Sequence, residues 1–171
     1  TGGRIPKNYI PAIGKGFEEM LEKGPLAAYP VVGIKVELND GTYHDVDSSD
    51  MAFKLTAREC FREYFGKMHP VLLEPLMLME IECPEDFQGS VVGQVSSKRG
   101  MVVSTQTDNG QTTIIAHVPL AETFGYSTEL RSLTQGQGSF SMELHKYAAV
   151  PANIQAEIIE ERKKEQLVGA K

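Results

Sequence analysis

Cysteine is scarce: Cys60 and Cys83 are the only two in 171 residues. That is too few for a disulfide framework, and neither has a partner at C-x-x-C spacing, which argues against zinc. Cys60 falls on the apolar face of a helical pattern and Cys83 ends a strand pattern, so both read as reduced, cytoplasmic thiols. Long apolar runs are missing too. No stretch approaches the roughly 20 residues of a membrane helix, and the opening TGGRIPKNYIP lacks the apolar centre of a signal peptide. Basic charge is not in excess. A net charge of −6 excludes a protein that coats nucleic acid indiscriminately by neutralising phosphates, though not a local RNA contact. The acidity is concentrated between residues 70 and 150, where nine carboxylates outnumber four basic side chains.

Several site motifs are missing as well. A P-loop needs glycine, four residues and then Gly-Lys-Ser/Thr, so that backbone N–H groups wrap the phosphates. The only Gly-Lys pairs are Gly14-Lys15 and Gly66-Lys67, and Tyr9 and Phe61 stand where the first glycine belongs. The run Asp45 to Asp50 has a calcium-loop flavour, but Asp50 occupies the glycine position and Thr56 the bidentate glutamate position. Helix capping is the better reading of those residues. No internal repeat and no low-complexity segment is present.

What remains is a globular composition, 41% hydrophobic and 23% charged, long enough for one large or two small domains. Ile10, Ile13, Phe17, Met20 and Leu21 recur at helical spacing, and Gly24-Pro25 ends that helix. Residues 31–38 alternate as a strand, with Ile34, Val36 and Leu38 on one face, and Asn39-Asp40-Gly41 signals a turn. A short extended piece over 42–46 follows. Asp47 or a serine then caps a second helix running to Met68, whose buried stripe is Phe53, Ala57, Cys60, Phe61, Tyr64, Phe65 and Met68. His69-Pro70 marks a boundary.

Beyond it, Met77, Met79, Ile81 and Cys83 alternate, Pro84-Glu85-Asp86 opens a helix that Gly100 closes, and 101–107 and 111–118 flank an Asp108-Asn109-Gly110 turn as a hairpin. A helix-compatible run from Leu120 to Thr134, closed by Gly136 and Gly138, leads to Phe140, Met142 and Leu144 on the inner face of a half-buried strand. Strand, helix, strand, strand, helix, strand is the ferredoxin-like pattern, giving an α+β fold. Some folds of this kind are acylphosphatases, but the loop after Cys83 lacks the arginine that enzyme needs. The charged tail from Ala152 reads as a peripheral helix.

Candidate site residues are few. His44 sits between Tyr43 and Asp45 near a turn, where binding residues collect. Lys98 and Arg99, at a helix end, suit either phosphate or the helix dipole. His117 on the hairpin and His145 on the outer face of the last strand read as structural or solvated. No nucleophile with its base stands out.

Four stretches, GGRIPKNYIPAIGKGF, DGTYHDVDSSDMAFKL, PVLLEPLMLMEIECPEDFQGSVVGQVSSKRG and VPLAETFGYSTELRS with TQGQGSFSMEL, closely resemble translation elongation factor G, in that family's order. The resemblance implies that residues 1–69 are the later part of the fourth domain, a ribosomal-protein-S5-like α/β domain. It also implies that 70–150 are the ferredoxin-like fifth domain and 151–171 a C-terminal tail. It places His44, with Tyr43 and Asp45, at the tip that reaches the decoding centre beside tRNA and mRNA. Lys98 and Arg99 become contacts to large-subunit rRNA. The expected whole is a monomeric cytoplasmic GTPase that promotes translocation, with GTP and magnesium bound in a domain that has no counterpart here. This stretch is then a C-terminal piece with no catalytic residue, cofactor or metal, and its first part lacks some strand partners. Two alternatives stand beside it: a related recycling or ribosomal-protection GTPase, and a free-standing ferredoxin-like interaction module.

Overall fold

A computed structural model describes residues 5–169. They form two compact units: the described residues before Leu72 together with those from Pro151 onward, and Leu72–Val150. The charged tail therefore groups with the first unit.

In the first unit a 3-10 turn, Lys7–Tyr9, leads into α1 (Ile10–Glu22). Pro11 lies in its first turn, where a missing N–H loses no bond. Ser49 caps α2 (Asp50–Phe65), its hydroxyl accepting from the Ala52 N–H at 3.1 Å, and Asp50 faces the positive end of the helix dipole. The two helices meet at Gly16, where a Cβ would lie 2.6 Å from the Lys54 carbonyl oxygen and 2.8 Å from the Ala57 Cβ. Met20, Phe61 and Phe65 form the core, with Phe17, Leu21, Leu26, Val31 and Ile34 packed around them. The last helix, α5 (Ala152–Gly169), sets the Arg162 guanidinium over the Tyr29 ring at 4.5 Å.

Two expectations for this unit fail. The stripe on α2 is narrower than its sequence suggests, because only the row Ala57, Phe61, Phe65 is buried while Cys60, Tyr64 and Met68 are exposed. Cys60 and Tyr64, one position away from the buried row, are turned about 100° around the helix, and Met68 lies beyond it in the 3-10 turn Gly66–Met68. Residues 31–38 and 42–46 form no strand. Val31 and Ile34 pack on the core, whereas Val36 and Leu38 stand exposed. Alternation selects a face, but a strand also needs a neighbour for its N–H and C=O groups, and none is paired with this segment among the described residues.

The second unit runs β1 (Leu73–Pro84), α3 (Gln88–Ser97), β2 (Met101–Asp108), β3 (Gln111–Pro119), α4 (Tyr126–Leu133) and β4 (Ser139–Ala149). The sheet order is β2-β3-β1-β4 with antiparallel neighbours throughout, the ferredoxin-like arrangement. Asn109 and Gly110 both have positive φ, as a two-residue hairpin turn requires. One face of the sheet carries Met77, Met79, Ile81, Cys83, Ile114, Ala116 and Val118 against Val91, Val95, Tyr126 and Leu130 of the helices. The Cys83 thiol is buried here, and burial pushes its pKa up.

Three details differ from expectation. The run from Leu120 is no continuous helix: a 3-10 turn ends at Glu122, the Thr123 hydroxyl donates to the Leu120 carbonyl at 2.8 Å, and Gly125 at φ 78° resets the chain before α4. Met142 and Leu144 are exposed, because β4 is an edge strand and the eight-residue α4 covers only its start, where Tyr126 meets Phe140 edge-on at 5.0 Å. The left-handed residue that ends α3 is Arg99, at φ 54°, and Gly100 follows it with its N–H on the Val95 carbonyl at 2.9 Å.

Candidate nucleic-acid interface

The loop before α2 is built from short-range bonds. Gly41 packs so closely on Ile5 that a Cβ would collide with that side chain, and its N–H donates to the Asp40 carboxylate at 2.8 Å. Further along, the His44 N–H donates to the Ser48 hydroxyl and the Ser48 N–H donates to the His44 carbonyl, both at 3.0 Å. This reciprocal pair closes a tight turn over residues 45–47 and fixes the His44 backbone, leaving its side chain exposed. Ser49 then begins the capped helix, so the loop is anchored at its C-terminal end.

Tyr43 anchors the other side. Its ring centroid lies 5.9 Å from that of Tyr9, which lies 4.8 Å from Phe53 of α2. A hydrogen bond to the exposed Asp45 carboxylate raises the Tyr43 phenol pKa, since a neighbouring anion disfavours phenolate. The structure thus brings His44, Tyr43 and Asp45 into one loop. It also reveals two residues that sequence reasoning missed. Val46 is 93% exposed at the apex, and Tyr9 is the platform on which Tyr43 rests. Nothing in the sequence ties Tyr9 to a loop more than thirty positions away. An exposed valine beside a turn carries no distinguishing signal either.

With Asp45, Asp47 and Asp50 close by in sequence, this loop is no electrostatic grip for phosphate. Its imidazole, phenol and carboxylate instead offer donors and acceptors for base edges and 2′-hydroxyls.

Lys98 and Arg99 occupy a different setting in the second unit. Arg99 forks onto Glu74, with Nη1 and Nη2 at 2.7 and 2.9 Å from its two oxygens, and sends Nε to Glu122 at 2.9 Å. These carboxylates raise the guanidinium pKa further above its already high value. Lys98 Nζ lies 2.9 Å from the Glu129 carboxylate and 3.3 Å from the Glu122 carbonyl. Both cations thus brace the end of α3 against β1 and the segment around α4. Their partners were not legible, because Glu74, Glu122 and Glu129 lie more than twenty positions away.

Among the described residues, no group of three or more His, Cys, Asp or Glu side chains is placed to hold a metal, and no helix is long and apolar enough to cross a membrane.

Comparison with known proteins sets this geometry in context. Residues 1–68 match the family model described as elongation factor G, domain IV, and residues 71–158 match the one described as elongation factor G C-terminus. Elongation factor G of Rhodopirellula baltica is 62% identical over the whole chain, which corresponds to 25% of that relative. Elongation factor G 2 of Bdellovibrio bacteriovorus is 53% identical over 92% of the chain and 22% of its own length. A crystal structure of a Thermus thermophilus protein superposes with a TM-score of 0.80 at 38% identity, over 96% of this chain and 25% of that one. The chain therefore spans about a quarter of the length of the relatives it matches. From these matches along nearly its whole length, the chain belongs to the elongation factor G family.

Proposed function

We propose that this chain is the C-terminal arm of a translation factor that promotes movement of tRNA and mRNA through the ribosome. The observation that carries the reading is the 62% identity to an elongation factor G across all 171 residues, joined to the consecutive domain IV and C-terminal matches. In this reading the arm works by shape. GTP, magnesium and the hydrolytic chemistry belong to the rest of a monomeric cytoplasmic factor, and the arm itself performs no catalysis.

His44, Tyr43 and Asp45 are proposed as its contact with tRNA, mRNA and rRNA at the decoding centre. The reciprocal His44–Ser48 bonds hold the backbone, so the loop has little backbone entropy left to lose when the imidazole meets RNA. In the second domain, Lys98 and Arg99 are proposed to serve rRNA chiefly by fixing the end of α3, since most of their donors already have carboxylate partners.

The test replaces His44 by alanine in the full-length factor and follows single-turnover translocation. A rate reduced roughly tenfold, the equivalent of about 1.4 kcal/mol, supports the tip role; an unchanged rate sinks it. A full-length protein that recycles or protects ribosomes without translocating them would replace this reading with that of a related ribosome-binding GTPase.

A further inference from the structure

His117 on β3 and His145 on β4 lie on strands that are not neighbours, because β1 runs between them. Their rings are nonetheless stacked, with centroids 4.2 Å apart and planes inclined by 14°. The register explains how they meet. Lys146 pairs with Leu76 and Leu144 with Met77, which leaves His145 as an extra residue in β4. An extra residue of this kind bends the strand and re-aims its side chain. His117 pairs with Leu78, which alternates with the buried Met77 and Met79 and so belongs to the face away from the core. The bulge sends His145 across β1 to meet His117 on that open face.

We propose that this pair is an acid-sensitive latch, which fastens the edge strand β4 across β1 to β3 while stacked and opens when both rings carry a proton. Two imidazolium cations repel at this separation, so the stack is favoured while at least one ring is neutral. The neighbouring charges do not cancel that repulsion symmetrically. On β4, Glu143 pairs with Leu78 and Lys146 with Leu76, flanking His145 with one charge of each sign. On β1, Glu80 and Glu82 alternate onto the same face, while Glu74, at the start of the strand, is already engaged by Arg99. On β2, Met101 stands opposite His117, and no titratable group follows until Asp108 at the far end of that strand. The helices pack on the other face.

Burial first, then His145 and Lys146, hold the His117 pKa below the ordinary imidazole range. A histidine whose folded pKa is lowered contributes stability that is complete above its unfolded pKa. That contribution is lost as pH falls from the unfolded toward the folded value. The latch therefore weakens on the acid side of neutrality.

The experiment uses the intact chain and two readouts, NMR titration of the imidazoles and amide hydrogen exchange of residues 141–148. On going from about pH 7.5 to about pH 5, exchange corrected for its intrinsic rate should rise about fivefold, the factor for two unit charges roughly 4 Å apart in water. His117 should titrate below the normal histidine range. In His145→Phe, which keeps an aromatic stack but binds no proton, the rise should vanish and the His117 titration should move back up. His117→Phe provides the same test should the first variant fold poorly. An equal rise in the wild type and in a folded phenylalanine variant, or no rise in the wild type, overturns the proposal.

Discussion

Residues 31–38 of the first unit and 77–83 of the second carry equally regular alternation, yet only the second becomes a strand. The difference lies in the neighbours. β1 is central, with β3 on one side and β4 on the other, so its backbone groups are paired and its inner residues are sealed beneath helices. Among the described residues, no strand pairs with 31–38, and their apolar side chains are half-buried only where Val31 and Ile34 reach the helical core. Alternation in a sequence therefore fixes which residues share a face. It does not fix whether that face is covered.

Matched truncations in the two segments test the role of cover directly. Ile81 is 0% exposed and Val36 is 47% exposed, although both occupy inner positions of alternating runs. Ile81→Ala should lower unfolding stability by about 2–5 kcal/mol, the usual cost of emptying an aliphatic core site. Val36→Ala should change it by less than about 0.5 kcal/mol. Urea unfolding of both variants checks the pair, and comparable losses would mean that 31–38 is packed as tightly as β1.

Charge sharpens the same contrast at a smaller scale. Arg99 and Glu74 form a bidentate pair with side chains only 25% and 14% exposed, while Lys35 and Glu37 pair at 83% and 61% exposure. Arg99→Ala should cost about 1.5–3 kcal/mol, since it strands a sheltered carboxylate that loses charged hydrogen bonds. Lys35→Ala should leave the urea midpoint unmoved, as exposed pairs contribute little. Raising the salt concentration should not reproduce the Arg99 loss, because sheltered pairs are weakly screened.

How much could be read beforehand follows from the range of each interaction. The antiparallel βαββαβ order of the second unit was legible because its strands, turns and caps are signalled within a few residues: the Asn109-Gly110 turn, the alternation of Met77 to Cys83, the apolar spacing of Val91 and Val95. His44 was legible as an exposed residue of the loop for the same local reason. The rest depends on distant partners. The missing ladder over 31–38, the Tyr9 platform beneath Tyr43, the carboxylates that occupy Lys98 and Arg99, and the bulge that joins His145 to His117 are all set by residues far apart in the chain. The break at Gly125 was local but masked, because the helix-favouring residues on both sides outweighed a single glycine in the pattern.

In the first unit the nearest equivalent of the sealed sheet is the close approach of α1 and α2. Gly16→Ala would force a Cβ against the Lys54 carbonyl, and helices are displaced more easily than one atom can be compressed. A loss of about 1–3 kcal/mol is expected, as for other overpacked contacts. It should be accompanied by greater exposure of Met20 and Phe65, which are buried in the same helix pair. A neutral result in urea unfolding would mean that the helices already have slack at this point.

Two further glycines separate backbone conformation from space, one in each unit. Beyond the local backbone and chain neighbours, neither Gly14 nor Gly125 has an atom within 4 Å of where a Cβ would stand, so neither substitution meets a packed neighbour. Gly14 lies within α1, where glycine loses more chain entropy on folding than alanine, so Gly14→Ala should stabilise the protein by about 0.5–1 kcal/mol. Gly125 sits at φ 78°, and its carbonyl receives the Thr128 and Glu129 N–H groups at 3.1 and 3.3 Å, so the left-handed turn is built into the start of α4. Gly125→Ala should therefore destabilise by about 1 kcal/mol, the cost of a left-handed residue with a side chain. Opposite shifts in thermal midpoint are the expected result. Shifts of the same sign would mean that the Gly125 turn yields to a helical path, and that the break between the 3-10 turn and α4 comes from packing around Thr123 and Tyr126 instead of from glycine.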